Sequence, residues 1–311
     1  MHTDTTDFTP SSLRAAVLSL VLLLIPLYGP SMSEGIQNGI RLCATTVVPA
    51  VFPFMILSSM MLGYGVFDGM PLFSRPFERI FRVNKNGLCA YLCGVFCGFP
   101  LGAKCTAEAL KGEMLSRDEA ERLVIFSANP SPAFLICGVG GLLGSVKKGV
   151  FLYLITLLCG ALIGMALGRG KRITQRKKAH TALHFSLTEA VENAGLHTLY
   201  ICSYLLLFSA LIGVLGTLIT SPLLLSFFLP FLEIGSASAF LASGKIAEPL
   251  AFALCAFAAS FGGLCVHLQC AHVLRGTGVS IKKFFLLKVN AASHNNNTAT
   301  STIPISIVEI D

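Results

Sequence analysis

Leu88-Cys89-Ala90-Tyr91-Leu92-Cys93-Gly94-Val95-Phe96-Cys97 runs without interruption into Gly98-Phe99-Pro100-Leu101-Gly102-Ala103. Ten apolar residues fall well short of the roughly 20 that a helix needs to cross a hydrocarbon core. The segment then stops at a Gly/Pro turn and gives way to a polar stretch, Lys104 to Arg122. An apolar piece of this length that turns on Gly and Pro reads as a re-entrant hairpin, whose irregular backbone must be enclosed by protein rather than lipid.

The rest of the chain sets that hairpin in a membrane. Of its 311 residues 54% are hydrophobic and 13% charged, about half the charge of a soluble domain. This composition argues against a soluble globule. Long apolar runs recur at Ala15 to Leu27, Ile40 to Leu62, Gly149 to Gly168 and Ile201 to Ile219. Broken runs accompany them: Gly35 to Gly63 carries Pro49 and Pro53, Glu119 to Gly144 carries Asn129-Pro130-Ser131-Pro132, and Pro249 to Leu274 carries Ser260-Phe261-Gly262-Gly263. A second short piece, Leu223 to Leu232, ends in Glu233-Ile234-Gly235-Ser236-Ala237.

The formal net charge is +7, and its surplus is clustered. Arg169, Lys171, Arg172, Arg176, Lys177 and Lys178 directly follow a spanning-length run, so they mark a cytoplasmic loop rather than a nucleic-acid patch. Arg275, Lys282, Lys283 and Lys288 follow the last broken run and are expected on the same side. Between Tyr64 and Asn86, Arg75, Arg79, Arg82 and Lys85 alternate with Phe73, Phe77, Ile80 and Phe81 at helical spacing, as in a helix lying on the membrane surface. Glu108, Glu113, Asp118, Glu119 and Glu121 alternate with Lys111, Arg117 and Arg122 and read as a solvated helical hairpin. Leu18 to Ile25, preceded by Arg14 with no small-x-small cleavage site after it, reads as an uncleaved first helix near Leu13 to Tyr28.

Sliding the sequence on itself by about 132 residues sets Gly98 to Ala103 against Phe231 to Ser236, Lys111-Gly112 against Ser243-Gly244, and Ser127 to Pro130 against Ala259 to Gly262. The charge distribution makes the two halves point in opposite directions. The predicted fold is therefore an all-α integral membrane protein with about six transmembrane helices plus two re-entrant hairpins in an inverted-repeat arrangement. Its expected divisions are an N-terminal helix (1–34), a first repeat (35–168), a basic cytoplasmic linker (169–186), a second repeat (187–290) and a disordered tail (291–311). Both termini are expected in the cytoplasm.

Inverted repeats bring their broken elements together near the midplane, where unwound backbone and helix ends hold a solute. The candidate substrate-binding residues are Gly98, Pro100, Gly102, Lys104, Asn129, Pro130, Ser131, Pro132, Glu233, Gly235, Ser236, Ser260, Gly262, Gly263 and Gln269. Glu233 is the foremost, because an ionisable group within a membrane segment costs roughly 3 kcal/mol and needs a reason. It could accept a hydrogen bond from solute, exchange a proton, or simply cap the next helix. Lys104 could offset Glu233, meet an anionic solute, or face the cytoplasm. Pro130 and Pro132 lack N–H groups, which leaves upstream carbonyls as candidate solute or cation ligands. Asn129 and Ser131 add side-chain hydrogen bonds beside them.

Eleven cysteines lie mostly in apolar runs, where a thiol packs as a small hydrophobe, so reduced thiols are expected. Cys89, Cys93 and Cys97 share a helix face, as do His267 and Cys270 beside Gln269 and His272. Without further ligands at suitable spacing, neither set predicts a metal. No cofactor is expected. The sequence carries no Ser/His or paired-Asp arrangement, phosphate loop or zinc-protease motif, so no enzyme is expected.

Gly98-Phe99-Pro100-Leu101-Gly102-Ala103-Lys104, Leu115-Ser116-Arg117-Asp118-Glu119-Ala120 and Phe126-Ser127-Ala128-Asn129-Pro130-Ser131-Pro132 resemble motifs of the YlbJ-type sporulation integral membrane proteins. These belong to the nucleoside-recognition or Gate group, which also includes the membrane portion of bacterial ferrous-iron transporters. Glu233 with Gly235, and Gly262-Gly263 leading to Gln269, look like the partner motifs, and the likeness runs from about Gly35 to Lys288. It implies two Gate-like repeats distantly related to concentrative nucleoside carriers, in a spore-forming bacterium. The resulting expectation is a transporter or gate for a small polar, nucleoside-like solute, with the bilayer, the solute and a coupling ion as partners, no nucleic acid, and room for a homo-oligomer. The rival readings are a non-transporting scaffold for spore envelope assembly and a divalent metal permeation path.

Overall fold

The structure, a computed structural model, describes residues 26–64, 71–174 and 186–302, and these are helical throughout with no strand among them. In chain order the helices are α1 (Gly29–Leu42), which passes through a π-helical segment (Cys43–Val47) into α2 (Val48–Gly63), then α3 (Pro71–Phe81), α4 (Leu88–Cys97), α5 (Leu101–Lys111), α6 (Arg117–Ser127), α7 (Ala133–Leu142) and α8 (Val146–Gly168). There follow α9 (Leu187–Leu218), α10 (Pro222–Leu232), α11 (Ile234–Leu241), α12 (Glu248–Phe261), α13 (Gly263–Val273) and α14 (Ile281–Thr302).

Among the described residues three stretches are long and apolar enough to cross a membrane: Val146–Gly168, Leu187–Leu218 and Glu248–Val273. Gly29–Val47 with Val51–Met61, bent by 45°, makes a fourth if the pair counts as one span. The six predicted were counted over the whole chain; among the described residues Pro and Gly cut the remaining apolar sequence into pieces of ten or so residues. The first predicted helix and Arg176, Lys177 and Lys178 lie outside the described residues. Two of the long spans have only 28% of their most apolar window buried, whereas Glu248–Val273 has 78%. The former show lipid a row of leucines, including Leu154, Leu158 and Leu162 on α8. The latter runs through the middle of the protein. Apolar surface on that scale is what a bilayer covers.

Local sequence explains where helices begin. Ser116 and Ser186 each form a capping box with the glutamate three residues on, Glu119 and Glu189, which satisfies otherwise orphaned N–H groups. Ser221 and Ser145 cap α10 and α8 in the same way with their hydroxyls. The break-rich elements recur in order: α4, α5, α6, α7 and α8 find counterparts in α10, α11, α12, α13 and α14, starting about 130–135 residues later.

Ion pairs fix which ends meet. Lys148 at the start of α8 pairs with Glu248 at the start of α12. Lys171, just past the end of α8, lies 3.5 Å from Asp118 at the start of α6, and Glu121 of α6 pairs at 2.9 Å with Lys283 at the start of α14. Helices α6 and α12 thus begin at opposite ends of α8, although they hold corresponding places in the two halves.

Several sequence expectations change here. Glu119 and Arg122 are not solvated: Glu119 is 1% exposed and accepts from the N–H groups of Asn84, Ser116 and Thr174, while Arg122 donates to the carbonyls of Phe81 and Arg82. They staple the α3–α4 connection and the chain beyond α8 onto α6. In α3, Phe77 and Phe81 turn inward against Tyr91 and Phe126, with Phe81 stacked 4.7 Å from Phe126. Leu72, Phe73 and Ile80 remain exposed. Of the tail, Ala291 to Thr302 continues α14 instead of being disordered. Once the packed face of Ile281 to Asn290 has nucleated the helix, each further residue adds a bond at little cost. The eleven cysteines are free thiols.

The Glu121 contact predicts a pH response at the start of α14. Burial pushes its carboxyl up, but Lys283, the Ser280 N–H and Arg117 outweigh burial and hold it below its ordinary value of 4.5. A lowered folded value means the stabilisation is complete above the unfolded value and disappears as pH falls through the folded one. Amide hydrogen exchange over residues 280–286, corrected for intrinsic rate, should stay flat from pH 7 to about pH 5 and rise only below the ordinary carboxylate range. Glu121→Gln should exchange faster at neutral pH and lose the acid step.

Candidate functional site

All four breaks of the sequence meet. Helix α4 stops at Gly98, whose φ of +82° suits only glycine, and the Phe99–Pro100 peptide that follows is cis. Helix α5 then folds back along α4 so closely that a Cβ on Gly102 would lie 3.0 Å from the Gly94 Cα, and Cβ atoms on Gly94 or Gly102 would collide with the Ser127 carbonyl. A Cβ on Gly98 would lie 2.5 Å from the Ser131 backbone nitrogen. The first break therefore sits directly on the second, Ala128 to Pro132.

The second half does likewise. Gly262 and Gly263 both have positive φ, +86° and +74°, between α12 and α13. A Cβ on Gly263 would lie 2.8 Å from the Leu232 carbonyl oxygen and 3.0 Å from the Glu233 nitrogen. The halves are joined at Phe99, whose Cζ lies 3.1 Å from the position of a Gly262 Cβ. Ends of α4, α5, α6, α10, α11, α12 and α13 are thus brought against one another at the breaks.

Glu233 is 4% exposed, and its carboxylate accepts from the Gly235 and Ser236 N–H groups, both at 2.6 Å. It is the N-cap of α11, buried inside the protein rather than placed near the outer surface. The thiols of Cys43 and Cys265 lie within electrostatic reach of it. Lys104 does not meet Glu233. It is 3% exposed, donates to the Ser59 hydroxyl at 3.0 Å and pairs with Glu108 at 3.4 Å, so it does not face solvent either. Gln269 lies on α13 with its amide 3.3 Å from the Cys265 sulfur, and it shares a cleft with Pro100, His197, Tyr200 and His272.

The carbonyls that the prolines leave behind are not free. A helix would bond Pro130 to the Phe126 carbonyl and Pro132 to that of Ala128. The Asn129 amide donates to the Phe126 oxygen at 2.7 Å, and the ammonium of Lys288, from α14, donates to the Ala128 oxygen. Ser131 caps the next segment, accepting from the Phe134 N–H at 3.2 Å. Pro132 immediately precedes that π-helical segment.

Among the described residues two hydroxyls beside these breaks find no partner, those of Ser127 at the end of α6 and Ser260 near the end of α12, nor does Nε2 of His267. The other nitrogen of His267 is 2.8 Å from the Gly263 carbonyl, and its ring packs against Phe261, Phe284 and Phe285. Among the described residues no group of three or more His, Cys, Asp or Glu side chains could hold a metal.

Sequence reasoning missed Lys288 as a member of the site by counting it with the exposed cytoplasmic charges. The signal was in its spacing: Ile281, Phe284, Lys288 and Ala292 share one helical face, and Phe284 and Ala292 are at most 1% exposed.

These motifs lie in a sequence that is 26% identical over 300 aligned residues to the sporulation integral membrane protein YlbJ of Bacillus subtilis (strain 168), covering 82% of this chain and 74% of the relative. The likeness supports assignment to the YlbJ type. With the lipid-facing leucines, it places the chain in a membrane. No family model matches the chain, and no solved structure matches it.

Proposed function

We propose that the chain is a multi-pass membrane carrier or gate for a small polar solute, held where the four helix breaks meet. The observation that carries this reading is their convergence: Gly98 on Ser131, Gly263 on Glu233, and Phe99 on Gly262. One Gly or Pro loosens a helix, but four breaks drawn from both halves onto one spot leave helix ends and polar side chains facing a common centre. N-terminal ends of α5 and α13 favour negative groups of a solute and the C-terminal end of α12 favours positive ones, while the ends of α11 and α6 are taken by the Glu233 carboxylate and the Lys288 ammonium. A nucleoside-like solute is the class the YlbJ-type resemblance suggests.

The opposed starts of α6 and α12 support an inverted repeat, with α4–α5 and α10–α11 as the two re-entrant hairpins. Arg75, Arg79, Arg169, Lys171, Arg172, Arg275 and Lys283 gather toward the end where α6 and α14 begin, which makes that end cytoplasmic. Both termini are assigned to the same side.

Ser127 and Ser260 allow a test that spares the fold, since their hydroxyls bond to nothing within the described structure. Wild type, Ser127→Ala and Ser260→Ala would be reconstituted in proteoliposomes and screened with nucleosides, organic acids and divalent metals. The expected result is uptake of one class by the wild type, with half-saturation raised about tenfold in at least one variant, the equivalent of 1.4 kcal/mol, and unchanged melting midpoints. No flux of any solute would turn the weight to a membrane scaffold.

A further inference from the structure

We propose that Lys288 is a tethered cation, its ammonium filling a monovalent-cation site at the break between α6 and α7. Three observations carry this, and none depends on whether the chain moves a solute. The ammonium is buried, 3% exposed as a residue, yet no carboxylate among the described residues pairs with it. Its partners are neutral oxygens: the Ala128 carbonyl and, at 3.5 Å, the Asn129 side-chain oxygen. The Phe99 ring completes the surroundings, with its centroid 5.9 Å from the nitrogen, a distance at which a ring face attracts a cation.

An unwound carbonyl, an amide oxygen and the C-terminal end of a helix are the ligands with which interrupted membrane helices hold sodium. Ala128 is the residue that closes α6, so the negative end of the helix dipole points at the same spot. The site has the chemistry of a cation site, and the chain supplies the cation from α14. A structural lysine would be expected to find a carboxylate or to reach water along its stem. Here the charge is satisfied by a carbonyl that has lost its helical partner to Pro132 and by the amide oxygen of Asn129 beside it. The protein should accordingly need no bound sodium or potassium at this break.

The test uses full-length protein purified in detergent, with thermal unfolding followed by a thiol-reactive dye that reports the buried cysteines. Wild type should melt at the same temperature in sodium, potassium and choline chloride. Lys288→Ala should melt about 5 °C lower in choline and recover most of that in sodium or methylammonium, which can refill the vacated space. Lys288→Met, whose apolar chain fills the space without a charge, should melt low in every salt.

If Lys288→Ala cannot be purified, Asn129→Asp combined with Lys288→Ala places a carboxylate beside the empty position and should be strongly sodium-dependent. Three results would overturn the proposal: Lys288→Met as stable as wild type, wild type itself stabilised by sodium over choline, or a double variant indifferent to sodium.

Discussion

Gly102→Ala is expected to abolish accumulation of folded protein. The added Cβ would meet the Ser127 carbonyl and lie 3.0 Å from the Gly94 Cα, backbone atoms that no side-chain rotation can clear. To admit it, α4 and α5 must part or α6 must withdraw, opening the aromatic packing of Phe81, Tyr91 and Phe126 beneath. Overpacking of this kind costs about 3 kcal/mol where neighbours yield, and more where the obstacle is main chain. Gly195→Ala is the control. Gly195 lies within α9 with nothing within 4 Å of its would-be Cβ, so alanine should gain up to about 1 kcal/mol of helix propensity. Expression of the two variants as fluorescent fusions, compared by size-exclusion profile, separates the cases. A monodisperse Gly102→Ala peak at wild-type level would show that the hairpin tolerates separation and would remove the tight crossing as a constraint.

Glu233→Ala is expected to lower the melting midpoint by about 4–8 °C. It strips two charge-assisted bonds from buried N–H groups of Gly235 and Ser236, together worth about 2–4 kcal/mol. Glu233→Gln keeps one acceptor oxygen and should fall about half as far. This sharpens the uptake experiment, because loss of transport in either variant points to solute binding only if the loss persists at temperatures where the variant is fully folded. Hydrogen exchange across α11 provides that check: protection equal to wild type in Glu233→Ala would show that the carboxylate is no cap.

Much of this was legible in the sequence because membrane physics leaves few options. Spanning-length runs placed the C-terminal ends of α8 and α9 to within a residue, while the run from Ile201 misses the first turns of α9, and Gly98, Pro130 and Gly262 marked real interruptions. What hydropathy cannot do is tell a run that crosses the bilayer from one enclosed by neighbouring protein. Side-chain partners were the other blind spot. Lys104, Glu119, Arg122 and Lys288 are charged letters on polar or segment-end stretches, and only tertiary contacts with Ser59, Asn84, Phe81 and Ala128 turn them into interior groups. The carbonyls left by Pro130 and Pro132 were correctly read as lacking helical partners. Sequence alone gave no sign that residues 3 and 160 positions away would claim them.

That double claim divides mechanical roles between the halves. At Pro130 to Pro132 the chain is broken but cross-braced, with Asn129 and Lys288 standing in for the two missing rungs. At Gly262-Gly263 two successive left-handed glycines join α12 to α13, and the side chain that reaches the Gly263 carbonyl, His267, comes from α13 itself rather than from across the protein. On the carrier reading proposed above, the first half would be the stator and the second would carry the hinge, so opening and closing about this centre would be lopsided despite the near-symmetry of the parts.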